Sequence, residues 1–223
     1  MNLFLIKCLF IIVLFFNSVI ASAKLNNVPI FKAGEHFQIL PSSMCYLTST
    51  KAYAIKFSPK VIVFFNYGCF GCKQMNQEFN RWQKINKTKV DIYRYPVCFN
   101  KPWENLAKLY YVQQELFPND DGEQIFQEIY VHNKRLWLET EMIEFYEKRH
   151  ISKEVFLKKY NSFDIDRKIK KAMEMSNNYK VALTPNIIVN TKENSYAVNF
   201  SMVPDPETLF KVVDYLIQNH PTK

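Results

Sequence analysis

The pattern of apolar and polar positions gives the chain a strand-rich start, a helical middle and a strand-rich end. Residues 61–67, VIVFFNY, are a continuous β-branched and aromatic run, typical of a strand buried on both faces. Residues 36–40 and the alternating segment 89–97 predict two more strands, the second ending at Pro96. A helix is expected to begin near Cys69, so strand, helix and strand follow one another as in a parallel βαβ unit.

Helical periodicity replaces this pattern through the middle of the chain. Apolar residues recur every three or four positions in segments 103–117, 123–137, 139–150, 153–160 and 162–180. Ser162 is a suitable N-cap for the last of these helices. Residues 184–190 and 195–200 return to strand character. Asp205, followed by Pro206 at the first helical position, predicts the start of a final helix.

This order predicts one α/β domain in which a single sheet is interrupted by an all-helical insertion. We assign residues 24–100 to the first part of the sheet domain, 101–179 to the insertion and 180–223 to the second part. Two independent domains are disfavoured, because neither flank alone has enough strands for a stable sheet.

The first 23 residues have the layout of a secretory signal. Lys7 precedes an apolar run, and Ala21-Ser22-Ala23 matches a signal peptidase site. The alternative is a membrane anchor, but the unbroken apolar stretch is shorter than the roughly 20 residues that span a bilayer. We expect cleavage after Ala23 and export to the periplasm, which removes Cys8 with the signal.

Composition and charge narrow the functional classes only slightly. The 223 residues carry 29 Lys and Arg against 21 Asp and Glu, a formal net charge of +8. These basic residues are dispersed among acidic ones, which is typical of a solvated surface, and nucleic acid is not an expected partner of an exported protein. Export does place the four remaining cysteines, at positions 45, 69, 72 and 98, where disulfides persist.

Cys69 and Cys72 lie where the buried strand gives way to a helix. Cys72, Met75, Phe79 and Trp82 share one helical face, so Cys72 should point inward and Cys69 should lie at an exposed helix start. Free backbone N–H groups at a helix N-terminus stabilise a thiolate and lower its pKa. One accessible and one protected sulfur suit thiol–disulfide exchange.

A zinc site and an inert structural disulfide are the alternatives to a redox-active cysteine pair. Zinc usually requires four ligands in two close pairs, and Cys45 and Cys98 are isolated, so no metal site is expected. An inert disulfide closing so short a loop would constrain little of the unfolded chain. An exported binding or chaperone-like protein with such a structural disulfide stays open as a hypothesis.

The sequence resembles the DsbA family of exported thiol oxidoreductases, which have a thioredoxin fold with a helical insertion. The matching segments are VIVFFNYGCFGCKQMNQEF, residues 61–79, and KAMEMSNNYKVALTPNIIVN, residues 171–190, with the helices between them. The resemblance implies a mixed central sheet, a redox-active Cys69–Cys72 disulfide and Cys69 as the nucleophile. It also implies a cis peptide bond at Thr184–Pro185, although a proline at a strand start would explain the same residues.

Two positions depart from the family pattern. Well-known oxidases of the family have a histidine between the cysteines, in CPHC, where this chain has Phe70 and Gly71. The family often has a buried acid six residues before the first cysteine, where this chain has Val63. Both departures affect the direction in which the pair exchanges disulfides.

The resemblance also suggests a role for the other two cysteines. In a thioredoxin-type sheet the strands at 36–40 and 89–95 are taken to be parallel neighbours, which would bring the following Cys45 and Cys98 together. We therefore predict a structural Cys45–Cys98 disulfide; the alternatives are two free thiols, or Cys98 as a third redox thiol.

The predicted function is to introduce disulfides into reduced or unfolded exported proteins through Cys69–Cys72. A membrane quinone-linked partner would re-oxidise the pair, as the resemblance implies, and no cofactor is needed. A disulfide isomerase or reductase of the same fold is the alternative.

Overall fold

The computed structural model of the protein describes residues 31–41 and 58–221. The predicted signal and Cys45 lie outside the described residues. The strands within these ranges are β1 (Gln38–Ile39), β2 (Lys60–Phe65), β3 (Asp91–Pro96), β4 (Asn186–Asn190) and β5 (Ser195–Asn199). The helices are α1 (Phe70–Asn86), α2 (Lys101–Leu116), α3 (Glu123–Tyr130), α4 (Glu139–Glu147), α5 (Lys153–Tyr160), α6 (Phe163–Asn178) and α7 (Pro206–Asn219).

The five strands form one mixed sheet in the order β1-β5-β4-β2-β3. β2 and β3 are parallel, with Ile62 opposite Tyr93, whereas β4 runs antiparallel to β2 and places Ile188 opposite Ile62. β1 pairs with β5 antiparallel. The predicted interruption of one sheet by a block of helices is confirmed, because β4 and β5 follow that block and still pair with the first half of the sheet.

One expectation about the sheet is wrong. The strands near residues 36–40 and 89–95 are not neighbours, because β1 and β3 lie at opposite edges of the sheet. The two strands of the second half, β4 and β5, separate β1 from β2. The order of strands therefore does not support a bridge between Cys45 and Cys98.

β2 is buried on both faces, as its unbroken apolar sequence predicts. Val61 and Val63 pack on one side of the sheet in a cluster that includes α1 and α7. Ile62 and Phe64 pack on the other side, in a cluster that includes Met175 of α6. The strand that leads to Cys69 is thus fixed on both faces before the chain reaches the cysteine.

The helical block has its own aromatic core, and this core reaches the cysteine pair. Phe126, Tyr146 and Phe156 are fully buried in it, and the same cluster includes Cys69 and Cys72. The pair therefore lies where α1 meets the inserted helices. Between residues 58 and 221 and in 31–41, no helix is both long and apolar enough to cross a bilayer.

Helix starts were predicted more accurately than helix ends. The Ser162 hydroxyl accepts a hydrogen bond from Ile165 N–H at 3.3 Å, and the Asp205 carboxylate accepts one from Thr208 N–H at 2.7 Å. The helix expected over 123–137 ends at Tyr130 instead, and Asn133 beyond it has a φ of 56°. Such a left-handed residue ends a helical path, although the apolar spacing continues past it.

Candidate active site

Cys69 is the N-cap of α1, and its backbone is extended, with φ −104° and ψ 116°. The Cys72 backbone N–H donates a hydrogen bond to Cys69 Sγ at 3.2 Å. A helix N-terminus leaves such N–H groups without partners inside the helix, so a sulfur in the cap position receives one of them. The predicted helix start is confirmed, since Phe70 is the first helical residue.

The pKa of the Cys69 thiol is lowered from 9.0 to about 7. The largest cause is a hydrogen bond from the Cys72 side chain; the Thr184 side chain and the N–H groups of Cys72 and Gly71 lower it further. Burial opposes these effects, because Cys69 keeps only 8% of its surface exposed. The expectation that Cys69 lies at an exposed helix start is wrong, because its side chain packs among the buried residues where α1 meets the inserted helices. With the pKa at about 7, a substantial fraction of this thiol is ionised near neutral pH.

Cys72 has the opposite environment. It is fully buried, and this burial is the largest cause that raises the pKa of the Cys72 thiol well above 9.0. The hydrogen bond to Cys69 and the charge of Cys69 raise it further. Met75, Phe79 and Trp82 are buried on the same helical face, as the sequence spacing predicts. The two sulfurs thus differ in both accessibility and acidity.

Thr184 and Pro185 approach the pair from the loop before β4. The peptide bond between them is cis, and the Cys69 thiol donates to the Thr184 carbonyl oxygen at 3.3 Å. Gly71 lies against this loop, because a Cβ on Gly71 would be 3.1 Å from Pro185 Cδ and 3.3 Å from Phe200 Cδ2. The glycine between the cysteines therefore allows the helix start and the proline loop to make close contact.

Asn66 positions the loop that carries Cys69, and sequence reasoning missed it. Its buried side chain donates to the Val97 carbonyl at 2.8 Å and to the Trp103 carbonyl at 3.0 Å, while its Oδ1 accepts from Gly68 N–H at 2.9 Å. The Asn66 carbonyl also accepts from Cys69 N–H at 3.1 Å. The sequence feature that points to Asn66 is a single amide side chain at the end of an otherwise apolar strand.

Phe70 forms much of the accessible surface beside Cys69. It is 57% exposed, and its ring contacts Tyr130 of α3 edge-on, with 5.6 Å between ring centroids. Lys73 Nζ lies 6.0 Å from the Phe70 ring centroid. Leu183, directly before the cis-proline pair, is also exposed. Two exposed apolar side chains thus lie next in sequence to Cys69 and to the cis-proline pair.

Val63 takes the place of the family's buried acid, and it is fully buried in β2 among apolar side chains. It pairs with Ile187 across the sheet. No carboxylate is available at this position to receive a proton from Cys72.

Cys98 follows β3, and its thiol is half-buried. Burial raises the pKa of this thiol to about 11. Its predicted partner, Cys45, lies outside the described residues, so their disulfide stays a prediction. In the part of the chain that the structure describes, no cluster of three or more His, Cys, Asp or Glu residues is placed to hold a metal ion.

Comparisons with known proteins agree with this geometry. A family profile described as "Thioredoxin" matches residues 56–205. The chain is 29% identical over 172 residues to the thiol:disulfide interchange protein DsbA of Pseudomonas syringae pv. tomato, covering 77% of this chain and 79% of that protein. It is 28% identical over 160 residues to the DsbA of Pseudomonas aeruginosa, covering 71% and 74% of the two chains.

Solved structures give the same result for the fold. The crystal structure of Pseudomonas aeruginosa DsbA matches with a TM-score of 0.72 at 25% identity, covering 85% of this chain and 94% of that chain. DsbA from Xylella fastidiosa matches with a TM-score of 0.69 at 18% identity, covering 87% and 98%. The predicted thioredoxin-type fold with a helical insertion is confirmed.

Proposed function

The chain belongs to the thioredoxin family and, like the DsbA proteins that it resembles, is a thiol:disulfide oxidoreductase; we propose that it introduces disulfides into exported proteins in the periplasm. The exported form begins after Ala23. Its substrates are reduced or unfolded proteins, and its redox-active group is the Cys69–Cys72 disulfide.

One observation carries this proposal, namely the asymmetry of the two sulfurs. Cys69 Sγ accepts the Cys72 N–H at 3.2 Å and has a pKa lowered to about 7, whereas burial raises the pKa of Cys72. Stabilising the Cys69 thiolate favours the reduced pair, and a stable reduced form makes the disulfide form an oxidant.

The exchange follows from this asymmetry. A substrate thiolate attacks Cys69 Sγ, the Cys69–Cys72 bond breaks, and Cys72 leaves and takes up a proton. A second substrate thiolate then attacks the substrate sulfur of the mixed disulfide and releases the Cys69 thiolate. Two electrons pass from the substrate to the enzyme pair, and the substrate gains one disulfide. Since Cys72 is protonated at neutral pH, it attacks the mixed disulfide slowly, which gives the second substrate thiol time to react.

The surroundings of Cys69 suit an extended, unfolded substrate. The backbone at Thr184 and Pro185 borders the sulfur and is available to hold a peptide strand. Phe70, next to Cys69, and Leu183, next to Thr184, offer exposed apolar contacts. We further propose that a membrane quinone-linked partner re-oxidises the pair, with no organic or metal cofactor.

A second candidate, a disulfide isomerase or reductase, is favoured by the moderate acidity of Cys69. Helix N-termini and neighbouring cations lower cysteine pKa values to between about 3.5 and 7.5, so a value of about 7 lies near the upper end of this range. Phe70 and Gly71 supply no side-chain donor, so the thiolate is less stabilised than it would be beside a histidine. A less stable thiolate makes a weaker oxidant.

The equilibrium of the purified mature protein with glutathione distinguishes these candidates. A potential near about −120 mV is typical of a strong periplasmic oxidase, about −180 mV of a disulfide isomerase and about −270 mV of a thioredoxin-like reductase, so either of the last two values would overturn the proposed direction. Cys98→Ser is the matched control, because it removes a thiol outside the pair. Loss of exchange in Cys69→Ser but not in Cys98→Ser assigns the activity to Cys69, and exchange that survives Cys69→Ser would assign it to another thiol. Absence of exchange in the unsubstituted protein would leave only a binding protein with a structural disulfide.

A further inference from the structure

A cavity of about 490 Å³ lies between α1, β3, α2 and the loop before α3, and the cysteines and the cis-proline do not border it. We propose that this cavity binds a carboxylate attached to a flat apolar body. That chemistry occurs both in free aromatic acids and in the C-terminal residue of a peptide. The proposal is independent of the thiol chemistry, since the cavity uses a different set of side chains.

Arg94 supplies the first argument, because it borders the cavity with an unpaired charge. Its guanidinium lies 3.8 Å from the Phe65 ring centroid, and its Nη2 donates to Asn76 Oδ1 at 3.0 Å. Its buried Nε has no acceptor among the described residues, and no described carboxylate pairs with the guanidinium. An arginine in this state is well suited to a carboxylate, which accepts from two guanidinium N–H groups at once.

Gln113 supplies the second argument. It borders the cavity, is only 2% exposed, and its Oε1 accepts from the Tyr146 hydroxyl at 2.7 Å and from Arg149 Nη1 at 3.0 Å. Because both partners are donors, the side-chain atom that they contact is the oxygen Oε1. The other polar atom of the amide is therefore the donor Nε2. Nε2 has no partner within residues 31–41 and 58–221. A buried donor without an acceptor is destabilising, and a ligand oxygen that accepts from Nε2 would remove this cost.

The carboxylates at the cavity already have partners. Asp120 accepts from Arg149 Nη2 at 2.7 Å and from Gly122 N–H at 2.7 Å, and Asp121 accepts from Glu123 N–H at 3.1 Å. Asp120 is neutralised by Arg149, whereas Asp121 receives only a backbone N–H and keeps its negative charge. Arg94 and the exposed Lys84 and Lys87 carry three positive charges at the same cavity, so its net charge is positive. An anion is the complementary ligand.

The walls favour a flat apolar group beside that anion. Tyr93 and Tyr95 of β3 stack with an interplanar angle of 2° and 6.5 Å between centroids. Tyr110, Tyr111 and Phe79 also line the cavity. Its volume is within the range of about 300–1,000 Å³ that is typical of small-ligand sites.

The test uses the oxidised mature protein and two matched pairs of probes. N-acetylphenylalanine is compared with its amide, and the peptide Gly-Gly-Phe is compared with its C-terminal amide, by titration with ¹H–¹⁵N NMR. We expect each acid to shift the backbone signals of residues 92–95 and 110–114. Each amide should bind at least about tenfold more weakly than its acid. Tighter binding of the free acid identifies a small-molecule source, and tighter binding of the peptide identifies a protein C-terminus; either result supports the site.

Variants at the exposed end of α1 test the charge without disturbing the core. The double substitution Lys84→Gln and Lys87→Gln should weaken binding of the acids severalfold, whereas Lys192→Gln, an exposed lysine between β4 and β5, should not. Thiol exchange through Cys69 should be unchanged in both. Equal binding of acid and amide, absence of saturable binding, or shifts confined to the surface around Phe70 and Leu183 would each overturn the proposal.

Discussion

Gly71 and Pro185 lie so close together that a Cβ on the glycine would be only 3.1 Å from Pro185 Cδ. The helix that carries Cys72 and the loop that carries Thr184 thus touch directly between the two cysteines. The contact of the Cys69 thiol with the Thr184 carbonyl depends on this approach. A small residue before the second cysteine therefore has a steric reason, independent of its effect on acidity.

We predict that Gly71→Ala separates the helix start from the proline loop. Overpacking of this kind costs about 1–3 kcal/mol in the free energy of unfolding, measured by urea denaturation of the oxidised protein. The pKa of Cys69 should rise, because the Thr184 side chain, whose interaction lowers this pKa, moves away from the sulfur with the loop. Gln77→Ala, at an exposed position of the same helix, is the control. Unchanged stability and an unchanged Cys69 pKa would show that the contact is not required.

Asn66→Ala should both destabilise the protein and slow the reaction of Cys69. The substitution leaves the Val97 and Trp103 carbonyls without their donor, at a cost of about 1–3 kcal/mol. The matched control is Asn105→Ala, which removes a single hydrogen bond to the Trp137 carbonyl. If both variants lose the same stability and alkylate at the wild-type rate, Asn66 has no special positioning role.

The sequence predicts local features of this site well and long-range ones poorly. The stripe from Cys72 to Trp82 and the cap at Ser162 follow from spacing and residue type over a few positions, and the structure confirms both. The position of β1 at the edge opposite β3 depends on strands that occur more than a hundred residues later. The contact of Gly71 with Pro185 is equally distant in sequence.

Phe70→His tests whether a histidine between the cysteines acidifies Cys69. The family's own histidine falls at position 71, where the approach of Pro185 leaves little room for a side chain, so the substitution is made at the exposed Phe70. An imidazole beside Cys69 adds a hydrogen-bond donor and, when protonated, a positive charge, so the Cys69 pKa should fall below about 7. The redox potential should become more oxidising in parallel. Phe163→His, at another exposed phenylalanine, controls for the added histidine. A pKa that stays at the wild-type value would indicate that the dipeptide does not set the acidity.

The stability of the reduced protein should depend on pH with a defined sign. The pKa of Cys69 is lower in the folded protein than its ordinary value of 9.0, so its contribution is present above pH 9 and is lost as the pH falls through about 7. The free energy of unfolding, measured relative to the oxidised form, should therefore rise by about 1 kcal/mol from pH 6 to pH 8.

Cys72 and Cys98 act in the opposite direction at higher pH. Their pKa values are raised in the folded protein, so their contributions are fully present below pH 9 and are lost as the pH rises from 9 towards the raised values, about 11 for Cys98. The increase should therefore level off or reverse above pH 9. Reduced Cys69→Ser, compared directly with the reduced wild-type protein because it cannot form the disulfide, should lack the increase between pH 6 and pH 8. An increase that persists in this variant would assign it to another group.

The most direct test of the account is the rate of alkylation of each cysteine in the reduced mature protein, followed by mass spectrometry from about pH 4 to pH 10. We predict that Cys69 reacts with a midpoint near 7, while Cys72 and Cys98 remain slow throughout because their pKa values are raised. A Cys69 midpoint near about 8.5, the value of an ordinary thiol, or faster reaction of Cys72 would contradict the proposed division of roles.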